Sequence, residues 1–256
     1  MCERLRRVGR EVAELMQPPV RSLVSATRQR LTVLLAAYAA LVLPAGDLIE
    51  TGVFHGGTTV LMARLLQTLS SPRRLYACDS FQGLPPSQTE DAGGRCATLA
   101  GADVPRRRDC GKGHRGQFAS PRRTVEAALR REALQARVIL VPGWFHESLP
   151  PPPSDVFGLL RLDGDTYNGT YEALARLYPR LVPGGAVYVD DYGSFKGAGA
   201  AVDRYVTRLA PMDRPLIVPV REPEGFYDAV WWLKPDPFFA QRVELQRACL
   251  NTLTRR

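Results

Sequence analysis

Short apolar runs that end in a carboxylate alternate with longer stretches of helical periodicity along most of this chain. Thr27–Leu43 reads as a helix ended by Pro44-Ala45-Gly46, and Asp47–Gly52 as the strand that follows. A second helix opens at Gly56-Gly57-Thr58-Thr59, with apolar positions Val60, Leu61, Ala63, Leu65 and Leu66. Strands are then predicted over Leu75–Asp79, Arg137–Val141, Val156–Asp163 and Ala186–Asp191. Helices are predicted over Thr124–Leu134, over Tyr171–Leu181 (stopped by Pro183-Gly184-Gly185) and over 198–209. Two last strands, Leu216–Val220 and Ala229–Leu233, flank the polar turn Glu222-Pro223-Glu224-Gly225. Strands alternating with helices predict an α/β fold, a mostly parallel sheet covered by helices on both faces.

Three segments break the alternation. Residues 82–119 are rich in Gly, Pro, Arg and Asp and read as a long loop, with 88–119 as an insert. The prolines at 150–153 mark a surface connection. Residues 1–26 read as a basic extension before a domain spanning 27–240, and 241–256 as a tail. The apolar run Leu31–Leu43 is 13 residues long, too short to cross a bilayer, and its position is wrong for a signal peptide. A buried helix is expected instead, with no membrane partner.

Composition adds little until the charge is located. The formal charge is +8, concentrated in the N-terminal arginines (Arg28 and Arg30 among them) and in Arg106–Arg123. Phe118 is the only aromatic in the second stretch, which gives no stacking platform for bases. The excess reads as solvated surface, and no nucleic-acid partner is expected. The five cysteines, Cys2, Cys78, Cys96, Cys110 and Cys249, form no CxxC pair. They suggest neither a disulfide framework nor a structural zinc site, and fit a reducing, cytoplasmic setting.

The chemistry gathers at the strand ends, where ligands of open α/β sheets bind. Glu50-Thr51-Gly52 leads into a glycine-rich turn and a helix start, but the spacing is not that of the dinucleotide fingerprint. A carboxylate there would repel a pyrophosphate and suit the cationic amino-acid end of S-adenosylmethionine. Asp79 ends the next strand, placed to accept hydrogen bonds from a ribose diol. Asp163 ends one strand and Asp190-Asp191 a later one. Neighbouring strands lie about 4.8 Å apart, so these carboxylates can converge, and like charges that close need a cation such as Mg²⁺. Asp165 is an alternative ligand.

Several blocks occur in order: DLIETGVFHGG from Asp47, DSFQGLP from Asp79, GWFHESLP from Gly143, LDGDTY from Leu162, YPRLVPGG from Tyr178 and DDYG from Asp190. The series resembles the macrocin O-methyltransferase family, metal-dependent sugar O-methyltransferases of antibiotic pathways. The likeness runs from about Arg28 to Lys234, with a gap across 88–119. It implies a class I methyltransferase fold: a seven-stranded, Rossmann-like sheet with an antiparallel last strand, S-adenosylmethionine and Mg²⁺. By position, Glu50 and Gly52 would contact the methionine portion, Asp79 the ribose, Ser80 and Phe81 the adenosine, and Gly143 and Trp144 the adenine. Asp163, Asp190 and Asp191 would form the metal triad, with Asp163 also the general base. The acceptor would be a small molecule with adjacent hydroxyls, a glycoside in the first instance.

Departures bear on specificity. Tyr167 is followed by Asn168-Gly169 where an acidic residue is usual in the family, and His55 and His146 inherit no role, although His146 is a candidate second base. A catechol-type acceptor, a non-catalytic protein that kept the fold and a nucleic-acid methyltransferase are the competing readings. The sequence leaves a homo-oligomer open.

Overall fold

The computed structural model describes residues 12, 14–17, 19–92, 114–150 and 154–236. Most of the predicted insert (93–113), the connection 151–153 and the tail 241–256 lie outside the described residues. The described strands are β1 (Asp47–Thr51), β2 (Leu75–Asp79), β3 (Val138–Pro142), β4 (Phe157–Leu162), β5 (Leu181–Val189), β6 (Val218–Arg221) and β7 (Tyr227–Leu233). The helices are α1 (Ala26–Val42), α2 (Gly57–Thr68), α3 (Thr89–Ala92), α4 (Arg122–Arg131), α5 (Phe145–Ser148), α6 (Tyr167–Leu177) and α7 (Lys196–Arg208).

The seven strands pair in the order β3-β2-β1-β4-β5-β7-β6. The first five run parallel, whereas β7 is antiparallel to both β5 and β6. The mostly parallel sheet is the one expected from the pattern, and the antiparallel strand the one that the family resemblance implies. Chain order reverses between β1 and β4, which opens a crevice beyond their carboxyl ends. Registers align there: Thr51 lies opposite Leu162, and Leu162 opposite Val189. Ladder bonds then run one residue past the strands, with Asp163 N–H donating to Thr51 O at 2.8 Å and Asp190 N–H to Leu162 O at 2.9 Å. The strand-end carboxylates are thereby brought to one level.

Two apolar cores cover the sheet. One contains side chains of α1, α2 and α4, among them Leu34, Leu61, Leu65 and Val125; the other contains Leu174 and Leu177 of α6 and Val202 and Val206 of α7. Helix α1 starts on Ser25, whose hydroxyl accepts from Arg28 N–H at 3.2 Å. Its residues Leu31 to Ala39 are all buried, which is why the run lacks a polar face. Among the described residues no helix is long and apolar enough to cross a membrane. Val12 is buried in the first core, and Leu15, Met16 and Val20 rest against it, so the described part of the N-terminal extension is bound to the domain.

One boundary differs in kind from its prediction. The glycine pair Gly184-Gly185 does not stop a helix; α6 ends at Leu177, and Pro183-Gly184-Gly185 lies inside β5. Helical periodicity carried on past Tyr178, but Pro179 cannot supply the backbone donor that an α-helix needs. The chain makes a 3₁₀ turn over Tyr178–Arg180 and becomes strand. Gly184 N–H donates to Lys234 O at 3.0 Å and Lys234 N–H to Gly185 O at 2.8 Å, so the glycines extend the ladder to β7.

Gly52 has φ +83°, and a Cβ built there would fall 1.7 Å from the backbone oxygen of Asp163. Gly52→Ala is therefore expected to push the β1 loop off the end of β4. A loss of roughly 3 kcal/mol or more should follow, about 6–12 °C in thermal denaturation; an unchanged melting temperature would mean that the loop re-forms elsewhere.

Candidate active site at the carboxyl edge of the sheet

A cavity of about 610 Å³ opens at the switch point. Gly52, Asp79, Ser80, Gly143, Trp144, Asp163, Asp190 and Asp191 all line it, as does Asp165. Two predicted residues do not. Phe81 has φ +56° and turns its ring onto the first apolar core. The other is Glu50, fully buried behind the loop.

Glu50 accepts from the hydroxyls of Thr58 and Thr59 in the first turn of α2. Its Oε1 lies 3.1 Å from Arg161 Nη1. Burial pushes its carboxyl up; Arg161 and the two hydroxyls oppose the shift. In the structure this carboxylate holds strand, loop and helix together from beneath. The backbone above it, rather than the Glu50 side chain, faces the cavity.

Asp79 is also engaged. Its Oδ2 accepts from Val53 N–H at 2.7 Å and Phe54 N–H at 3.2 Å, and its Oδ1 from Phe81 N–H at 2.7 Å. Three charge-assisted bonds from the backbone fix the glycine loop. A carboxylate has about four acceptor sites, so capacity is left for a diol at the cavity surface.

The acidic cluster is centred differently from the expected triad. Oxygens of Asp163, Asp165 and Asp191 lie within 4.8 Å of one another. Asp190 sits beside them with both oxygens taken: Oδ2 accepts from Arg28 Nη1 at 2.9 Å and Oδ1 from the Tyr188 hydroxyl at 2.6 Å. Asp165 enters the cluster through a left-handed backbone, φ +54°, rare for a residue with a side chain. Burial raises the carboxyls of Asp165 and Asp191, and their acidic neighbours raise them further, Asp163 first for Asp165 and Asp165 first for Asp191. Asp191 Oδ2 is buried without a hydrogen-bond partner. An orphaned carboxylate oxygen in a crowded oxygen-only cluster is what a hard divalent cation would satisfy, so these residues fit one.

Two arginines carry the compensation, and the sequence reading missed both. Arg161, fully buried, reaches Asp163 at 2.8 Å, Glu50 at 3.1 Å and Asp190 at 3.6 Å. A signal was present: it is the one charge in the otherwise apolar β4 run Phe157–Leu162, a strand covered on both faces. Arg28 is a correction, because it was counted as solvated surface. Its side chain is only 12% exposed, lying 2.8 Å from Glu222, 2.9 Å from Asp190 and 3.8 Å from Asp228. Periodicity could not show it, since its partners lie in β6–β7 and the β5 end. The histidines stay at the margin: His55 Nδ1 lies 2.9 Å from Ser120 Oγ, and His146 is exposed beside Glu147.

The sheet order and its antiparallel β7 are those of the class I methyltransferase fold. The structure titled O-methyltransferase NovP superposes with a TM-score of 0.59 at 27% identity, over 91% of this chain and 80% of NovP. The family model for macrocin O-methyltransferases (TylF) matches residues 3–217, and the chain belongs to that family. Relatives include the 8-demethyl-8-(2,3-dimethoxy-alpha-L-rhamnosyl)-tetracenomycin-C 4'-O-methyltransferase of Streptomyces olivaceus, 36% identical, and the demethyldecarbamoylnovobiocin O-methyltransferase of Streptomyces niveus, 34% identical. Each match covers 73% of this chain and 65% of the relative, just under two thirds of the relative's length.

Two outcomes follow from the charges. Asp165 and Asp191 keep protons in the native state above the range where an unfolded Asp loses them, about pH 3.9. Their contribution to native stability therefore falls as pH rises through the raised values, while a cation needs them ionised. Added Mg²⁺ should raise the melting temperature more at about pH 8 than at about pH 5; equal gains would show a cluster ionised throughout. Separately, Arg28→Met removes the guanidinium that lies against Asp190, Glu222 and Asp228. Chemical denaturation should register a loss of about 3–5 kcal/mol, partly restored in Arg28→Lys.

Proposed function

We propose that this chain is an S-adenosylmethionine-dependent O-methyltransferase that methylates a hydroxyl of a natural-product sugar or glycoside with the help of Mg²⁺. The carrying observation is the orphaned, crowded carboxylate cluster at the switch point, within the same cavity as the Gly52 loop and Asp79. Family membership and a relative named as a 4'-O-methyltransferase of a rhamnosyl-bearing tetracenomycin support the sugar over a catechol.

Asp79 and the Gly52 loop would hold the cofactor's ribose and methionine portions, with Ser80 beside the adenosine and Gly143 and Trp144 beside the adenine. Phe81 supports this loop from the core side, and Glu50 holds it through Thr58 and Thr59. Asp163 and Asp191 belong both to the expected triad and to the cluster found, and they would hold the cation. Asp165 is the third carboxylate within reach as the side chains stand; Asp190 joins them when it gives up one of its present partners. When bound, the cation lowers the pKa of a coordinated diol hydroxyl, and the sulfonium supplies an electrophilic methyl. Asp163 would take the hydroxyl proton as the methyl passes from sulfur to oxygen, leaving a neutral thioether. Arg161 keeps Asp163 aimed at that position, with its Nη1 2.8 Å from Asp163 Oδ2.

Residues 27–240 form the catalytic domain in this reading, with 1–26 as a basic N-terminal extension, 88–119 as an atypical insert and 241–256 as a tail. The chain works in the cytoplasm, where Cys78, buried and unpaired, stays reduced.

The test is methyl transfer from labelled S-adenosylmethionine to a panel of glycosides and catechols, with Mg²⁺ and with EDTA. Turnover of glycosides that EDTA abolishes is expected; metal-independent turnover would sink the proposal. Asp190→Ala should lower turnover about a hundredfold or more while cofactor binding by calorimetry changes little. Equal loss of both would give Asp190 a folding role instead.

A further inference from the structure

The cavity has one wall that the proposed chemistry leaves without a task. Phe54, Phe118 and Phe195 line it, drawn from three separate parts of the chain. The Phe54 and Phe118 rings meet edge to face at 5.9 Å, and the Phe118 and Phe195 rings at 6.5 Å. His55 lies against Phe54 at 3.7 Å, anchored through Nδ1 to Ser120. None of the three phenylalanines belongs to either apolar core, unlike Phe81, Phe145 and Phe157.

Their backbone makes the arrangement expensive. Phe54 has φ +51° and Phe118 φ +60°, a left-handed conformation that bulky side chains rarely adopt. Such strain persists only where the surroundings over-determine it, and it gathers at ligand sites. Here Asp79 holds Phe54 N–H, and the turn His114–Ala119 is tied to Leu84 by Gly116 N–H to Leu84 O and Leu84 N–H to Gln117 O, each at 2.9 Å. Core packing does not repay that cost, because the rings face the cavity.

The wall reaches the acidic cluster at its Phe195 end. Phe195 follows Asp191 by four residues, and its N–H donates to Asp191 O at 3.0 Å. Gly143 and Trp144 follow β3, at the far edge of the sheet. Cations are scarce here: among the described residues the arginines in the wall are Arg21 and Arg28, and Arg28 is committed to Asp190 and Glu222. Among the described residues a pyrophosphate would find little to bind it.

We propose that Phe54, Phe118 and Phe195 form a subsite for a planar, apolar aglycone, so that the substrate is an aromatic glycoside and not a free or nucleotide-linked sugar. The inference rests on the function proposed above, in which the sugar diol sits at the carboxylates; the aglycone then lies against the edge-to-face rings.

The experiment compares kcat/KM for p-nitrophenyl and methyl glycosides of the same sugar, rhamnose, glucose and xylose in turn, beside the nucleoside-diphosphate sugars. The aryl glycoside should lead its methyl counterpart by about tenfold or more, with the nucleotide sugar slowest. Phe118→Ala should collapse the aryl-to-methyl ratio towards one, and Phe195→Leu, a milder change in a separate loop, should reduce it in the same direction. No aryl preference in the wild type, a ratio unmoved in both folded variants, or a preferred nucleotide sugar would overturn the subsite while leaving glycoside methylation standing. No turnover of any glycoside, with Mg²⁺ present, would overturn both.

Discussion

Carboxylates outnumber counter-charges at the edge of this sheet, and the structure around them is organised by that imbalance. Glu50, Asp163 and Asp190 surround Arg161, and Asp190, Glu222 and Asp228 surround Arg28. Asp165 and Asp191 face Asp163, and among the described residues no salt bridge reaches either of them. Charges taken out of water are costly unless paired, so the two arginines hold the framework while negative charge stays in excess beside them. The deficit belongs to the site and not to the protein, whose formal charge is +8.

Arg161 joins the two halves of that site. On one side it meets Glu50, which fixes the loop over which the cofactor would lie; on the other it meets Asp163 and Asp190. A displacement of the glycine loop is therefore felt at the acidic cluster through a single buried side chain. Arg28 does the same at the other end, tying α1 and the β6–β7 hairpin to Asp190. The N-terminal helix is consequently part of the site wall.

The backbone prepares the same place. Gly52 passes so close to Asp163 that no side chain fits, while Phe54, Phe118 and Asp165 all adopt left-handed conformations around one cavity. Strain at these positions is offset by rigid surroundings: parallel ladders beneath, and Asp79 bonded to the loop from the side. The carboxylate floor and the aromatic wall lie side by side in that cavity, the two surfaces that the proposed aromatic glycoside would need.

The order of strands and helices, the carboxylates at strand ends and the family blocks were legible in the chain, because periodicity and turn residues report local conformation and which face is buried. The helix stop at Pro183-Gly184-Gly185 was misread for the same reason: a turn signal does not say whether the glycines face solvent or a partner strand such as β7. The partners of each charged group were settled only by the assembled sheet. Register and side-chain direction placed Asp165 with Asp163 and Asp191, sent Glu50 beneath its loop, turned Phe81 to the core and buried Arg28 against residues nearly two hundred positions away. Those contacts depend on where distant segments meet in space, and the spacing of residues along a chain carries no record of that.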